Sequence, residues 1–153
     1  MSSKPKFVYV TYIRSTPDKV WQALTDPAFT RQFWYGAYQE CDWTVGSPWK
    51  LMIPDGRIAD SGEVLESAPP NRLVLSWRNE FIEMREEGYS RMTYDIAAQG
   101  ELTKLSVTHE MDRKESKLIA AVSGGWPMIL ASLKSLLETG ASFAETRRWP
   151  EGM

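Results

Sequence analysis

Apolar positions in the last third of the chain recur every three or four residues, as they do on one face of a helix. In the run Gly125–Leu137, Lys134 faces the opposite side together with the following Glu138. The apolar positions of this run are Trp126, Ile129, Leu130, Leu133, Leu136 and Leu137. This spacing predicts an amphipathic helix near the C-terminus whose apolar face packs against the rest of the protein.

Most of the chain before this helix alternates apolar and polar residues, which is typical of β-strands. Turn signals such as Asp55-Gly56 and Gln99-Gly100 favour hairpins and therefore an antiparallel sheet. The polar run Asn79–Gly88 is interpreted as an exposed loop or strand tip. The predicted strands are Phe7–Arg14, Tyr38–Trp43, Trp49–Ile53, Arg57–Ser67, Arg72–Arg78, Tyr89–Ala98 and Leu102–Met111.

Two short helices are predicted directly after the first strand. Thr16 can cap the first helix, Pro17 fits its first turn, and Asp18 complements the helix dipole. Asp26-Pro27 repeats this start signal and predicts a second helix over about residues 27–34. The element order is a strand, two short helices, about six further strands and a long helix. This order predicts an α+β fold in which the C-terminal helix covers one side of the sheet.

The length and charge of the chain fit one domain without a basic surface. It has 153 residues, with 18 Lys plus Arg, 20 Asp plus Glu and a formal net charge of −2. We interpret residues 1–140 as a single domain and residues 141–153 as the helix end and a flexible tail. Because the two signs of charge balance, we expect no nucleic-acid partner.

Cysteine usage and hydropathy predict a cytoplasmic protein. The single cysteine, Cys41, cannot form an internal disulfide, which fits a reducing compartment. The apolar run Phe7–Val10 is too short for the apolar region of a signal peptide. The apolar stretch Leu118–Leu137 is interrupted by serine, glycine and lysine residues, so we expect no membrane span and no membrane partner.

Three sequence blocks carry a resemblance to a known family. They are Thr16–Pro27 (TPDKVWQALTDP), Gly62–Glu66 followed by Pro69–Trp77, and the Gly125-Trp126 pair followed by Leu130 and Leu133. In this order they resemble the activator of heat-shock-protein-90 ATPase homologue-like family. That family lies in the START, birch-pollen-allergen and polyketide-cyclase (SRPBCC) superfamily.

The resemblance implies a helix-grip, or START-like, fold. In that fold a curved antiparallel sheet of about six or seven strands wraps around a long C-terminal helix, and a cavity lies between them. The family shares no universal catalytic residues, so we name no catalytic residue. The element order inferred from the residues agrees with this fold.

The seven tryptophans of the chain suggest the lining of such a cavity. A ligand pocket needs an apolar lining with a few polar groups that orient the ligand. Each candidate also fits ordinary core packing, and the only histidine also fits a core histidine that is hydrogen-bonded to a neighbour. The candidate ligand-binding residues are Trp34, Trp43, Trp49, Trp77, Met92, Tyr94, His109, Trp126, Ile129 and Leu133.

Strand alternation separates the acidic residues into inward and outward groups. Asp95 and Glu110 alternate with apolar neighbours and are predicted to face solvent. Asp60 shares its side of the strand with Val64 and can point inward, where a carboxylate is costly unless it is paired. The candidate partners for Asp60 are Arg57, Arg78 and Arg91.

These observations predict a protein that binds a small hydrophobic molecule, without a metal or cofactor. A single histidine excludes a histidine-based metal cluster. One alternative is an enzyme of the cyclase, dehydratase or hydrolase type, which would need His109 together with Tyr94 or Asp60. The other alternative, which the family name suggests, is an interaction protein that associates with a chaperone or regulator. We also leave open a homodimer.

Overall fold

A seven-stranded antiparallel sheet forms the body of the computed structural model, which describes residues 4–153. The first three residues of the predicted domain 1–140 lie outside this range. The strand order is β1-β7-β6-β5-β4-β3-β2. The strands are β1 (Lys6–Ile13), β2 (Tyr38–Cys41), β3 (Pro48–Met52), β4 (Ile58–Ala68), β5 (Arg72–Asn79), β6 (Ser90–Gln99) and β7 (Leu102–Glu110). All seven predicted strands are confirmed, although their ends differ slightly from the predicted ones.

The two short helices after β1 are confirmed and capped as the sequence predicts. They are α1 (Pro17–Thr25) and α2 (Pro27–Phe33). Thr16 Oγ1 accepts from the backbone N–H of Lys19 over 3.3 Å, and Asp26 Oδ1 accepts from that of Ala28 over 2.9 Å. These caps satisfy backbone donors that a helix start leaves without an intrahelical partner.

Another short helix, α3 (Ile82–Arg85), lies in the run that we expected to be a loop or strand tip. The polar residues of this run hid the spacing between Phe81 and Met84, both of which pack against the core. The loop prediction was therefore wrong for these four residues, of which Met84 packs partly buried against the core while Ile82 is 84% exposed.

The long helix α4 spans Lys117–Thr139, so it extends well beyond the apolar run Gly125–Leu137 that predicted it. Ser116 caps its start, and Gly140 ends it in a left-handed conformation with φ of 86°. Length and composition alone would allow α4 to cross a membrane. In this structure the curved sheet wraps around α4, and the buried residues of the helix are Leu118, Ile119, Trp126, Ile129, Leu130, Ser132, Leu133 and Leu136.

The core lies between α4 and the inner face of the sheet. Leu75, Met92 and Val107 come from β5, β6 and β7, and each is at most 1% exposed. Strand β4 approaches β5 very closely at Gly62, where an added Cβ would lie 1.8 Å from the carbonyl oxygen of Ser76. Only glycine fits this contact, because any side chain would overlap the neighbouring backbone.

The last residues pack on the domain, in contrast to the flexible tail that the sequence predicted. Ser142 and Thr146 are buried, and residues 144–146 form a turn of 3-10 helix. The Thr146 hydroxyl lies 2.7 Å from that of Ser132 in α4 and 3.2 Å from the carbonyl oxygen of Gln32 in α2. This segment therefore joins α2 to α4 and brings Trp149 to the cavity described below.

Candidate functional site

A cavity of about 200 Å³ lies between the sheet and the first half of α4. Strands β3 to β5, the turn after α2, the α3 segment and the C-terminal segment complete its walls. Apolar and aromatic side chains dominate these walls, with Asp60 and Asn79 as polar members. The aromatic members are Trp34, Tyr35, Trp77, Phe81, Trp126 and Trp149.

Trp77 is the centre of the aromatic cluster at this cavity. Its ring centroid lies 6.1 Å from that of Trp34 in a stacked arrangement and 5.8 Å from that of Trp126 in an edge-on one. Trp49 packs behind it, with a centroid distance of 4.4 Å. Rings in such contacts hold one another in place. The cavity wall is therefore built from large side chains that packing keeps rigid.

Asp60 is a buried carboxyl group at this aromatic wall, and its side chain points inward as its strand parity predicts. It is 5% exposed. Its Oδ1 accepts hydrogen bonds from Trp77 Nε1 over 2.8 Å and from Asn79 Nδ2 over 2.9 Å. Burial raises the pKa of Asp60 to about 7, although both hydrogen bonds oppose this shift and nearby Glu80 adds to it.

The arginine partners predicted for Asp60 were wrong. Arg57 pairs with Asp55 on the surface, over 2.8 Å. The guanidinium groups of Arg78 and Arg91 bind Glu80 and Glu66, respectively. Strand alternation gave the direction of the Asp60 side chain, but its partners are neutral N–H groups, including an indole from the neighbouring strand.

His109 lies within the core and does not line the cavity. Its Nδ1 accepts from Trp126 Nε1 over 3.2 Å, so Nε2 carries the proton of the neutral ring. Nε2 therefore donates to Ser90 Oγ over 2.8 Å, and Ser90 in turn donates to the carbonyl oxygen of Trp77. Burial lowers the pKa of His109 to about 3. His109 is therefore a core histidine hydrogen-bonded to its neighbours, which is one of the two interpretations that the sequence allowed.

The structure brings four of the ten predicted site residues to the cavity wall, namely Trp34, Trp77, Trp126 and Ile129. Five others are buried away from this wall, namely Trp49, Met92, Tyr94, His109 and Leu133. The remaining one, Trp43, is only partly buried and lies outside the lining. Trp49 is fixed elsewhere because its Nε1 donates to Gln39 Oε1 over 2.9 Å.

A family model described as "Activator of Hsp90 ATPase homolog 1-like protein" matches residues 14–138. The match covers most of the 153 residues. The chain belongs to this family. Its sheet and long C-terminal helix form the helix-grip fold of the SRPBCC superfamily. No curated protein sequence is similar enough to count as a match.

Solved structures of other proteins share this fold. CalU16 from Micromonospora echinospora is 22% identical with a TM-score of 0.70, and the alignment covers 88% of this chain and 77% of CalU16. An Aha1 from Colwellia psychrerythraea, solved as a dimer, is 21% identical with a TM-score of 0.71, covering 88% and 97%. An Hsp90 activator from Plasmodium falciparum is 24% identical with a TM-score of 0.70, covering 86% and 95%.

The reactive pairs named for the enzyme alternative do not meet at the wall of this cavity. His109 and Tyr94 lie away from the wall that Asp60 lines, so the pairs proposed from the sequence do not form there. Tyr35 is the other titratable side chain of the wall, and burial raises its pKa. Among residues 4–153, no three His, Cys, Asp or Glu side chains form a metal-binding group.

Several wall residues were not predicted as site residues. Phe81 and Met84 belong to the segment predicted as a loop or strand tip, and Trp149 to the segment predicted as a flexible tail. Sequence spacing offered one signal, since Phe81 and Met84 are three residues apart, as on one face of a helix. No local pattern marks Trp149, because its position depends on how residues 141–146 pack between α2 and α4.

Proposed function

We propose that this protein binds a small, mainly apolar molecule in the cavity between its sheet and α4. The observation that carries the proposal is the cavity itself, about 200 Å³ with six aromatic side chains in its wall. Apolar walls with a small number of fixed polar groups are characteristic of small-molecule sites. Here Asp60 and Asn79 are those polar groups.

The volume of the cavity sets the size of the ligand. Pockets for drug-sized molecules span roughly 300–1,000 Å³. A dry apolar cavity of about 150 Å³ is known to bind benzene. At about 200 Å³ the cavity suits a molecule with one aromatic ring or a comparable aliphatic group. Longer ligands would have to extend past Ala121, an exposed residue of the wall.

Two adjacent glycines of α4 provide a matched test. Gly125 lines the cavity, Gly124 does not, and an added Cβ at either position meets no atom within 4 Å. Gly125→Leu places a side chain in the cavity, whereas Gly124→Leu places one on the exposed side of the same helix turn. Both variants lose a helix-interior glycine, so their effects on helix propensity are alike.

Binding is measured by NMR titration with ethylbenzene as a neutral one-ring probe. We expect the wild type and Gly124→Leu to bind with similar affinity and Gly125→Leu to bind at least about tenfold more weakly. Equal binding by both variants would place the probe elsewhere. If the wild type does not bind the probe, the proposal is wrong.

A second candidate function is association with a chaperone or with another copy through β1. This strand forms one edge of the sheet, and its outward side chains Val8, Val10 and Tyr12 are 52%, 42% and 42% exposed. Exposed apolar rows on sheet edges favour protein contacts. Similar folds occur in an Aha1 dimer and in an Hsp90 activator.

A positive charge introduced among the exposed side chains of β1 tests the second candidate function. We expect Val10→Lys to weaken binding to purified Hsp90 or to lower the average mass in solution. Val45→Lys is the control, because Val45 is 67% exposed in a loop and belongs to no strand. If the wild type neither binds Hsp90 nor self-associates, this candidate is excluded.

A further inference from the structure

The second carboxylate oxygen of Asp60 is the starting point for identifying the ligand. Oδ1 already accepts from Trp77 and Asn79. Within residues 4–153, Oδ2 has no hydrogen-bond donor and Asp60 has no ion-pair partner. A buried carboxylate without a counter-charge costs considerable free energy. This residue nevertheless lies in the wall of the cavity, where a ligand would meet it.

The described cavity wall contains no lysine, arginine or histidine side chain. The nearest arginines in sequence are engaged elsewhere, because Arg57 and Arg78 each bind an acidic neighbour. A positive charge at Oδ2 would therefore have to come from outside the protein. An anionic ligand, in contrast, would meet Asp60 without any cation to offset the repulsion.

The aromatic side chains of the wall also favour a positively charged ligand. Trp34, Trp77, Trp126 and Trp149 line the cavity together with Tyr35 and Phe81. The faces of aromatic rings carry negative electrostatic potential and attract cations, with tryptophan the most effective. Sites that recognise ammonium groups are lined by several such rings.

We propose that the ligand is a small organic cation, an arylalkyl or alkyl ammonium. Its charged group lies beside Oδ2 of Asp60, and its apolar part lies among the tryptophan side chains of the cavity. This assignment rests on the proposed function, since it names the chemical class that the same cavity takes. The recognition combines one ionic hydrogen bond at Asp60 with packing of the apolar part against the aromatic rings.

The ionisation of Asp60 supplies a signature for this class of ligand. Its pKa is about 7 because of burial, so a nearby ammonium group would draw it toward the ionised form. Nearby Glu80 raises the pKa of Asp60, and Tyr35 is the other wall residue with a titratable side chain. The wall residues of α4 and the α3 segment include no titratable side chain.

The test compares benzylamine, which is protonated near neutral pH, with its neutral isostere ethylbenzene. Affinities are measured by NMR titration against the wild type and Asp60→Asn. Asparagine keeps an oxygen that can accept from Trp77 and Asn79, so this variant retains the local hydrogen bonds. Gly124→Leu serves as a control that leaves Asp60 and the cavity intact.

We expect the wild type at about pH 8 to bind benzylamine at least tenfold more tightly than ethylbenzene. Lowering the pH to about 6 should weaken benzylamine binding about tenfold and leave ethylbenzene binding unchanged. Asp60→Asn should lose the preference for benzylamine and the pH effect but still bind ethylbenzene.

Two outcomes would overturn the assignment. If the wild type binds ethylbenzene as tightly as benzylamine, the ligand is not cationic, while the proposed function stands. If Asp60→Asn keeps the preference for benzylamine, the charge is recognised elsewhere. Failure of both probes to bind the wild type would remove the proposed function as well, so the two failures are distinguishable.

Discussion

The indole nitrogen of Trp126 donates a hydrogen bond to Nδ1 of His109 over 3.2 Å, joining α4 to β7 inside the core. This bond leaves the proton of His109 on Nε2, where Ser90 accepts it. Both ring nitrogens are therefore satisfied by protein groups. The imidazole holds the helix against the sheet and has no free nitrogen for a ligand or a proton transfer.

The first prediction concerns His109→Gln. This change breaks a buried hydrogen-bond network and should lower the free energy of unfolding by about 1–3 kcal/mol, because buried groups lose their partners. Binding of ethylbenzene should not change, since His109 lies outside the cavity wall. Urea unfolding and probe titration measure the two effects. Weaker binding with unchanged stability would show that the imidazole reaches the ligand after all.

The pH dependence of stability gives a second test of this network. The pKa of His109 falls from 6.5 to about 3 on folding. A depressed pKa means that the unfolded chain takes up the proton first, so stability is lost as the pH falls from 6.5 toward 3. His109→Gln should therefore show a shallower loss of stability than the wild type across this acidic range.

Asp60 should show the opposite pH dependence. Its pKa rises from 3.8 to about 7 on folding, so its contribution is complete at low pH and is lost as the pH rises from 3.8 to 7. Relative to Asp60→Asn, the wild type should lose roughly 1.4 kcal/mol for each pH unit within this window. Urea unfolding of both proteins at several pH values measures the difference. A constant difference would show that Asp60 stays ionised in the folded protein.

The sequence predicted the elements whose signals are local. The spacing from Trp126 to Leu136 identified the buried face of α4, and the parity of Asp60 with Val64 identified its inward direction. The part of α4 before Gly125 was not identified from spacing, because Gly124 and Gly125 interrupt the helical pattern. Packing along the whole apolar face, and the Ser116 cap, overcome these weak helix formers.

The parts of the cavity that were not predicted depend on contacts between distant segments. Trp77 and Asn79 reach Asp60 only because β5 pairs with β4 in one register, which pairs Asp60 with Asn79. Trp149 reaches the wall because Thr146 contacts Ser132 and Gln32. A hydrophobic pattern records which side chains are buried, but it does not record which of them meet.

Tyr94 offers a prediction of increased stability. Its hydroxyl is buried and has no hydrogen-bond partner among residues 4–153, and burial raises its pKa. Tyr94→Phe removes this unsatisfied group while keeping the ring that packs edge-on against Trp126. We expect the free energy of unfolding to rise by about 1 kcal/mol. A loss of stability would reveal a buried water or other partner at the hydroxyl.

Gly62→Ala tests the close approach of β4 to β5. The new methyl group would overlap the carbonyl oxygen of Ser76, so the strands must separate. We expect a loss of at least about 1–3 kcal/mol in the free energy of unfolding, the range for overpacking. Gly124→Ala is the matched control and should gain about 0.5–1 kcal/mol, because its added methyl meets open space on a helix. Equal effects would contradict the close strand contact.

Glu87 joins the segment after α3 to the start of α4 through hydrogen bonds. It accepts from Ser116 Oγ over 2.6 Å and from the backbone N–H of Lys117 over 2.7 Å. Burial alone would raise the pKa of Glu87, but these hydrogen bonds hold it below its usual value. A carboxylate at this position also complements the positive end of the helix dipole.

Glu87→Gln should therefore lower the free energy of unfolding by about 0.5–1 kcal/mol at neutral pH. Because folding depresses the pKa, this contribution is present above 4.5 and is lost as the pH falls below that value, so the two proteins should converge in acid. The exposed neighbour Glu86 is the control, and Glu86→Gln should have little effect. Thermal unfolding at neutral and acidic pH measures all three proteins, and a difference that persists in acid would contradict a role for the charge.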